Sequence, residues 1–125
     1  MEHALITHLL AYGPLAALIG DRLDPNELPQ NPTYPAVVYQ KISQPRQEMG
    51  SQVVRIQYDC YSKLYGESKQ VAEQIENAVT AAQGIAGIHS IYIDNVFDDF
   101  NVTKQLHRSV VDVVFYYLRS TEFEK

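Results

Sequence analysis

Apolar positions repeat with two different periods along the chain. Leu5, Ile6, Leu9 and Leu10 fall at helical spacing, and Leu15, Leu18 and Ile19 repeat the stripe, so residues 3–19 are predicted helical. Gly13-Pro14 divides this segment, because a proline has no N–H to give to the preceding turn and its ring collides with it. Proline is favoured in a helical first turn, which places a second short helix from Pro14 to Ile19, closed by Gly20. The period then changes to two. Ala36–Ser43 is rich in Val, Tyr and Ile. Gln52–Ser62 alternates Val54, Ile56, Tyr58 and Cys60 against Val53, Arg55, Gln57 and Asp59, the signature of a half-buried strand. Helical spacing returns over 66–83, where Val71, Ile75, Ala78, Val79 and Ala82 form one face and Gly84 is placed to close the helix. Two more strands, 88–97 and 107–118, complete the pattern, with Ile91, Ile93 and Phe97 expected on one face of the first.

Three connections separate these elements. Residues 20–35 hold four of the six prolines, Pro25, Pro29, Pro32 and Pro35, and are expected to form a long loop outside the sheet. The polar run 44–51, with Pro45 and Gly50, is expected to be an exposed hairpin tip. The polar run 98–105 is expected to be a turn, and 120–125 a frayed tail. The order predicts a single α+β domain over 1–125: an antiparallel four-stranded sheet with helices packed on one face, in the order α-(α)-β-β-α-β-β.

Composition narrows the function. The chain has 125 residues, enough for one domain with its own core. Ten Lys and Arg stand against 15 Asp and Glu, a formal net charge of −5, and no two basic residues are adjacent. A dedicated nucleic-acid binder clusters its cations to neutralise phosphates, so that class is disfavoured. The apolar run around Val110–Leu118 is interrupted by Asp112 and is far shorter than the ~20 residues of a spanning helix, so no membrane association is expected. The start, Met-Glu-His-Ala, lacks the basic stretch of a signal peptide.

No catalytic, cofactor-binding or metal-binding residues are expected. Cys60 lies on the apolar strand face with Ile56 and Tyr58, the setting of a structural thiol. His3, His8, His89 and His107 form no metal-ligand spacing with one another or with Cys60. Asp94, Asp98 and Asp99, with Asn95 and Asn101, lack the central glycine of a calcium loop and are expected to be a solvated strand end and turn. Asp112, among four valines, is expected to meet a basic residue across the sheet. What remains are surfaces. Arg46, Glu48 and Met49 on the hairpin tip are candidate contacts, as are Asp24, Leu28 and Tyr34 on the proline-rich segment. Prolines lower the entropy of the free segment, so 24–35 is expected to be a contact arm, mobile alone and ordered on a partner.

Four stretches carry a family resemblance: Leu15-Ala-Ala-Leu-Ile-Gly-Asp-Arg22; Tyr34-Pro-Ala-Val-Val-Tyr-Gln-Lys-Ile-Ser43; Val54-Arg-Ile-Gln-Tyr-Asp-Cys-Tyr-Ser62 leading into the helix from Glu67; and Arg108-Ser-Val-Val-Asp-Val-Val-Phe-Tyr-Tyr117. In this order they resemble the small tail-completion (tail terminator) proteins of long-tailed bacteriophages and prophages. The resemblance implies a virion structural protein without enzymatic activity, assembled in the host cytoplasm. It implies a homo-oligomeric ring, commonly of six copies, that caps the tail tube at the head–tail joint. The implied partners are further copies of the chain, the tail-tube protein and head–tail connector proteins, with DNA passing through the lumen without specific binding. A neck or head-completion protein, or a small non-enzymatic ligand-binding module, is the alternative.

Overall fold

The computed structural model describes residues 2–43 and 51–118. The candidate contacts Arg46, Glu48 and Met49, and the 120–125 tail, lie outside the described residues. The element order is α1 (Glu2–Ala11), α2 (Gly13–Ile19), β1 (Leu23–Pro25), β2 (Ala36–Ser43), β3 (Ser51–Ser62), α3 (Tyr65–Thr80), a 3-10 turn (Ile85–Gly87), β4 (Ile88–Asn101) and β5 (Leu106–Leu118). The expected break between α1 and α2 occurs at Tyr12, with Pro14 in the first turn of α2 and Gly20 beyond its end at φ 59°. The expected closure of the third helix by Gly84 is corrected: α3 ends at Thr80 with Ala81 as its C-cap, and Gly84, at φ 96°, instead precedes the 3-10 turn.

The strands form one five-stranded mixed sheet, β1-β2-β3-β5-β4, in place of the expected four-stranded antiparallel one. The additional strand, β1, pairs parallel to β2 from Leu23↔Val37 to Pro25↔Tyr39. It falls at the start of the stretch expected to be a loop. Its sheet position resolves the conflict with Pro25: an edge strand can carry a residue with no N–H, because one side of its backbone has no partner to satisfy. The Val37 N–H donates to the Arg22 carbonyl (2.9 Å) and the Asn26 N–H to the Tyr39 carbonyl (2.9 Å), closing both ends of this short ladder.

All three helices pack on one face of the sheet. Leu5 and Leu9 of α1, Leu15 and Ile19 of α2, and Val71, Ile75, Ala78 and Val79 of α3 meet Val54, Ile56, Tyr58 and Cys60 of β3 and Val111, Val113 and Phe115 of β5. Each Leu, Ile, Val or Phe side chain buried here contributes about 1.5–3 kcal/mol before entropy is counted. His8 Nε2 donates to the Ala78 carbonyl (2.8 Å), fixing α1 on α3.

The last hairpin is longer than expected. β4 runs on to Asn101, so only residues 102–105 turn, and Asp98 and Asp99 belong to a strand. A register shift between Ile93 and Asn95 reverses the faces along β4. Ile91 and Ile93 stay over the core, whereas Phe97 pairs with Val110 on the opposite face. The expectation that Phe97 shares a face with Ile91 and Ile93 is therefore corrected. Period two holds only while no residue is inserted into the ladder.

Candidate functional site

The face of the sheet away from the helices carries a network of ion pairs. Asp59 of β3 is fully buried, and Gln57 Nε2 (2.8 Å) and Gln40 Nε2 (3.1 Å) donate to its two oxygens. Arg108 of β5 approaches it at 3.7 Å and pairs with Asp99 of β4. Burial pushes the Asp59 carboxyl above its ordinary value, although Gln57, Arg108 and Gln40 all favour its charge. The hydrogen bond to Asp99 holds the Arg108 guanidinium firmly protonated. Farther along the same face, Arg55 Nη1 donates to Asp94 (2.6 Å) and to Asp112 (3.0 Å). The basic partner expected for Asp112 is thus Arg55, one strand away and offset by two pairs along the ladder. A shallow hollow of about 510 Å³ lies here, lined by Ser43, Val53, Arg55, Tyr92, Ile93, Asp94, Val114 and Tyr116.

A second cluster closes the far end of the helix face. Asp98 accepts from Tyr65 Oη (3.1 Å) and Lys69 Nζ (3.3 Å). Burial opposes the Asp98 charge, but hydrogen bonds from Ser109, Lys69 and Tyr65 outweigh it and hold the carboxyl below its usual range. His107 lies between the rings of Phe100 (4.6 Å) and Tyr65 (5.6 Å). Ser62 Oγ accepts from the Leu64 N–H and donates to Glu67, tying β3 to the start of α3.

The residue types that could perform chemistry are engaged structurally. Cys60 is buried, and burial together with the Asp59 charge pushes its thiol pKa up, away from the reactive thiolate. His89 meets Ser51 Oγ (3.0 Å) and Ser90 Oγ (3.1 Å). Among the described residues, no group of three or more His, Cys, Asp or Glu side chains could hold a metal ion. Among the same residues, no helix is long and apolar enough to cross a membrane. The acidic cluster is exposed, as expected, and its carboxylates also pair with three cations: Asp94 with Arg55, Asp98 with Lys69 and Asp99 with Arg108.

The other candidate contacts lie on the opposite side of the sheet. Asp24 is half-buried in β1, and Leu28 and Tyr34 are half-buried in the segment that follows. Lys63 Nζ sits 6.0 Å from the centre of the Tyr34 ring. Pro35 is buried and its carbonyl accepts from Arg22 Nε (2.8 Å), so the proline-rich segment is pinned to its own domain at both ends. The surface that reading the sequence missed is β4. Among the described residues, Asn95 to Asn101 pair with β5 on one side only, and Val96, Phe97 and Phe100 are 38%, 41% and 42% exposed, with Val102 of the turn at 72%. The signal in the sequence is the apolar set Val96, Phe97, Phe100 and Val102 interleaved with the acidic residues.

Residues 3–118 match the family model described as "Tail completion protein gp17". No curated protein matches the chain. Among solved structures, 23 chains match. One is a chain of the virion of a native gene transfer agent (GTA) particle, 14% identical over 95% of both chains, with a TM-score of 0.68. At that identity the likeness establishes the fold.

Proposed function

The chain belongs to the tail completion protein gp17 family, which makes it a structural protein of phage tail completion, and from this premise we propose that it forms a closed ring capping the tail tube at the head–tail joint. The single observation that carries the reading is the family match, which runs through every described element of the fold from α1 to β5. The fold shared with a chain of a gene transfer agent virion supports it. The ring is built from six copies, joined head to tail so that each presents two different surfaces. Its partners are the tail-tube protein on one side and connector proteins of the head on the other. DNA passes through the lumen without specific binding, consistent with a formal charge of −5 per copy. The protein acts by position and contact, without catalysis. Asp24, Leu28 and Tyr34, and Arg46, Glu48 and Met49 on the 44–51 connection, contribute contacts to neighbours in the particle.

Electron microscopy of particles assembled without the protein tests this reading. Intact heads with unjoined tails and overlong tubes are expected. Leaking or empty heads on normally terminated tails would overturn it and place the protein at a head-completion position.

A further inference from the structure

The hollow of about 510 Å³ beside Arg55 crosses four neighbouring strands, β2, β3, β5 and β4. Strand register sets its side chains together: Val53 lies opposite Tyr116, and Val114 lies between Arg55 and Tyr92. The rings of Tyr92 and Tyr116 stand at 88° to each other with their centres 5.7 Å apart, like two walls of a box. Tyr92 is 59% exposed, so its ring is open to a neighbour, and Asp94 stands beside it with half of its side chain in water.

The charge beside these rings is unbalanced. A single nitrogen, Arg55 Nη1, donates to both Asp94 Oδ2 (2.6 Å) and Asp112 Oδ2 (3.0 Å). One cation thus serves two carboxylates, and one negative charge is left over. The buried Oδ1 of Asp112 accepts no hydrogen bond from any described residue. The network as a whole has the same bias, with Arg55 and Arg108 set against Asp59, Asp94, Asp99 and Asp112.

These features choose among occupants. An anion would meet the surplus carboxylate. A metal ion would lack ligands, since no three ligating side chains converge among the described residues. A free small molecule would stay largely in water, because the hollow is shallow and ligand pockets enclose most of their ligand. A side chain delivered by a protein surface needs no such enclosure. A cation satisfies the carboxylate and the rings together, because aromatic faces attract positive charge. Arginine suits this geometry better than lysine: its planar group stacks on a ring while its fork donates to a carboxylate.

We propose that the hollow walled by Tyr92, Tyr116 and Asp94 receives an arginine side chain from a basic surface of a different protein, the guanidinium stacking on Tyr92 and donating to Asp94. A second copy of this chain is the poorer occupant, because it brings a further net charge of −5. The site goes beyond the ring reading and does not depend on it.

The test titrates the nitrogen-15-labelled full chain with the peptide acetyl-Gly-Arg-Gly-Arg-Gly-amide and follows its amide signals by NMR. Saturable shifts centred on residues 92–94 and 114–116 are expected. The citrulline counterpart, which keeps the shape and loses the charge, should bind at least about five-fold more weakly. Tyr92→Leu and Asp94→Asn lie at exposed positions, and each should weaken the arginine peptide by a similar factor. Glu73→Gln, which removes one charge from the exposed side of α3, should change binding less than about two-fold. Circular dichroism checks the fold of each variant, and the arginine and citrulline peptides on the wild type decide the matter if a variant misfolds. Absent or unsaturable shifts, equal binding of the citrulline peptide, or equal weakening by Glu73→Gln would overturn the site. A lysine peptide that binds as tightly would overturn the choice of arginine. Binding that emerges only in Arg46→Ala would make the chain's own Arg46 the occupant, and wild-type self-association lost in Asp94→Asn would make it a second copy; either overturns the partner. The ring is tested separately, by the particle microscopy.

Discussion

At one edge of the sheet, three residues lie parallel to β2 and end in a proline; at the other, fourteen residues of β4 run antiparallel to β5, with no further strand beside them among the described residues. Arg22 backs the short edge, donating to the carbonyls of Pro35 (2.8 Å) and Leu18 (3.1 Å), so the turn after α2 and the entry to β2 are fastened together. The long edge is held by its main-chain ladder with β5 and by Arg55, Lys69 and Arg108, which pair with the three aspartates of β4. One edge is closed by backbone geometry, the other is held in register and left open.

The largest expected effect falls where β4 begins. Gly87 has φ +82°, and a Cβ there would lie 2.7 Å from the Leu118 carbonyl oxygen. Gly87→Ala must strain the backbone and displace the end of β5, lowering stability by about 2–4 kcal/mol in urea unfolding. A loss below 1 kcal/mol would show that this corner yields easily and that β4 is not anchored there.

Next comes the buried carboxylate behind the long edge. Asp59→Ala removes the acceptor of Gln40 and Gln57 and one of the two partners of Arg108, with an expected loss of about 2 kcal/mol. The pH dependence separates Asp59 from Asp98. The folded pKa of Asp59 is raised, so its protonation favours the fold: stability is gained as pH falls through that value and the gain is complete below the ordinary one. The folded pKa of Asp98 is lowered, so its contribution is present above the ordinary value and is lost as pH falls through the lowered one. Urea midpoints followed into acid should therefore fall more steeply in Asp59→Asn than in the wild type, and less steeply in Asp98→Asn. The reverse order would contradict the assignment.

On the short edge, Arg22→Ala removes two hydrogen bonds to carbonyls and should cost about 1–2 kcal/mol. Limited proteolysis should find the wild-type segment cut between Glu27 and Thr33, if at all, and the variant cut sooner. Equal cutting would mean that Arg22 does not secure the segment. The smallest effect is expected at Val96, already 38% exposed, where Val96→Ser should change monomer stability by less than about 0.5 kcal/mol. A loss above 1 kcal/mol would mean that the β4 edge is packed within its own chain, and the contrast between the edges would fail.

Local signals sufficed where local chemistry decides the structure. Gly13-Pro14 breaks the first helix, the Val71–Val79 stripe buries one face of α3, and strict alternation marks β3. They failed where a distant partner decides. β1 is three residues long and exists because β2 accepts it. Asp98 and Asp99 look like turn residues until Lys69 and Arg108, set by the folding of α3 and β5, take up their charges. The reversal of faces at Asp94 comes from one residue inserted into a ladder, which apolar spacing does not reveal. The apolar side of β4 was legible as residues but not as an edge, because strand order is a property of the whole sheet.

The measurement that tests the central claim most directly is a cryo-electron microscopy map of assembled particles with this chain placed in it. The account predicts a closed ring at the head-proximal end of the tail tube. A position elsewhere in the particle, or a chain that does not close into a ring there, would contradict it.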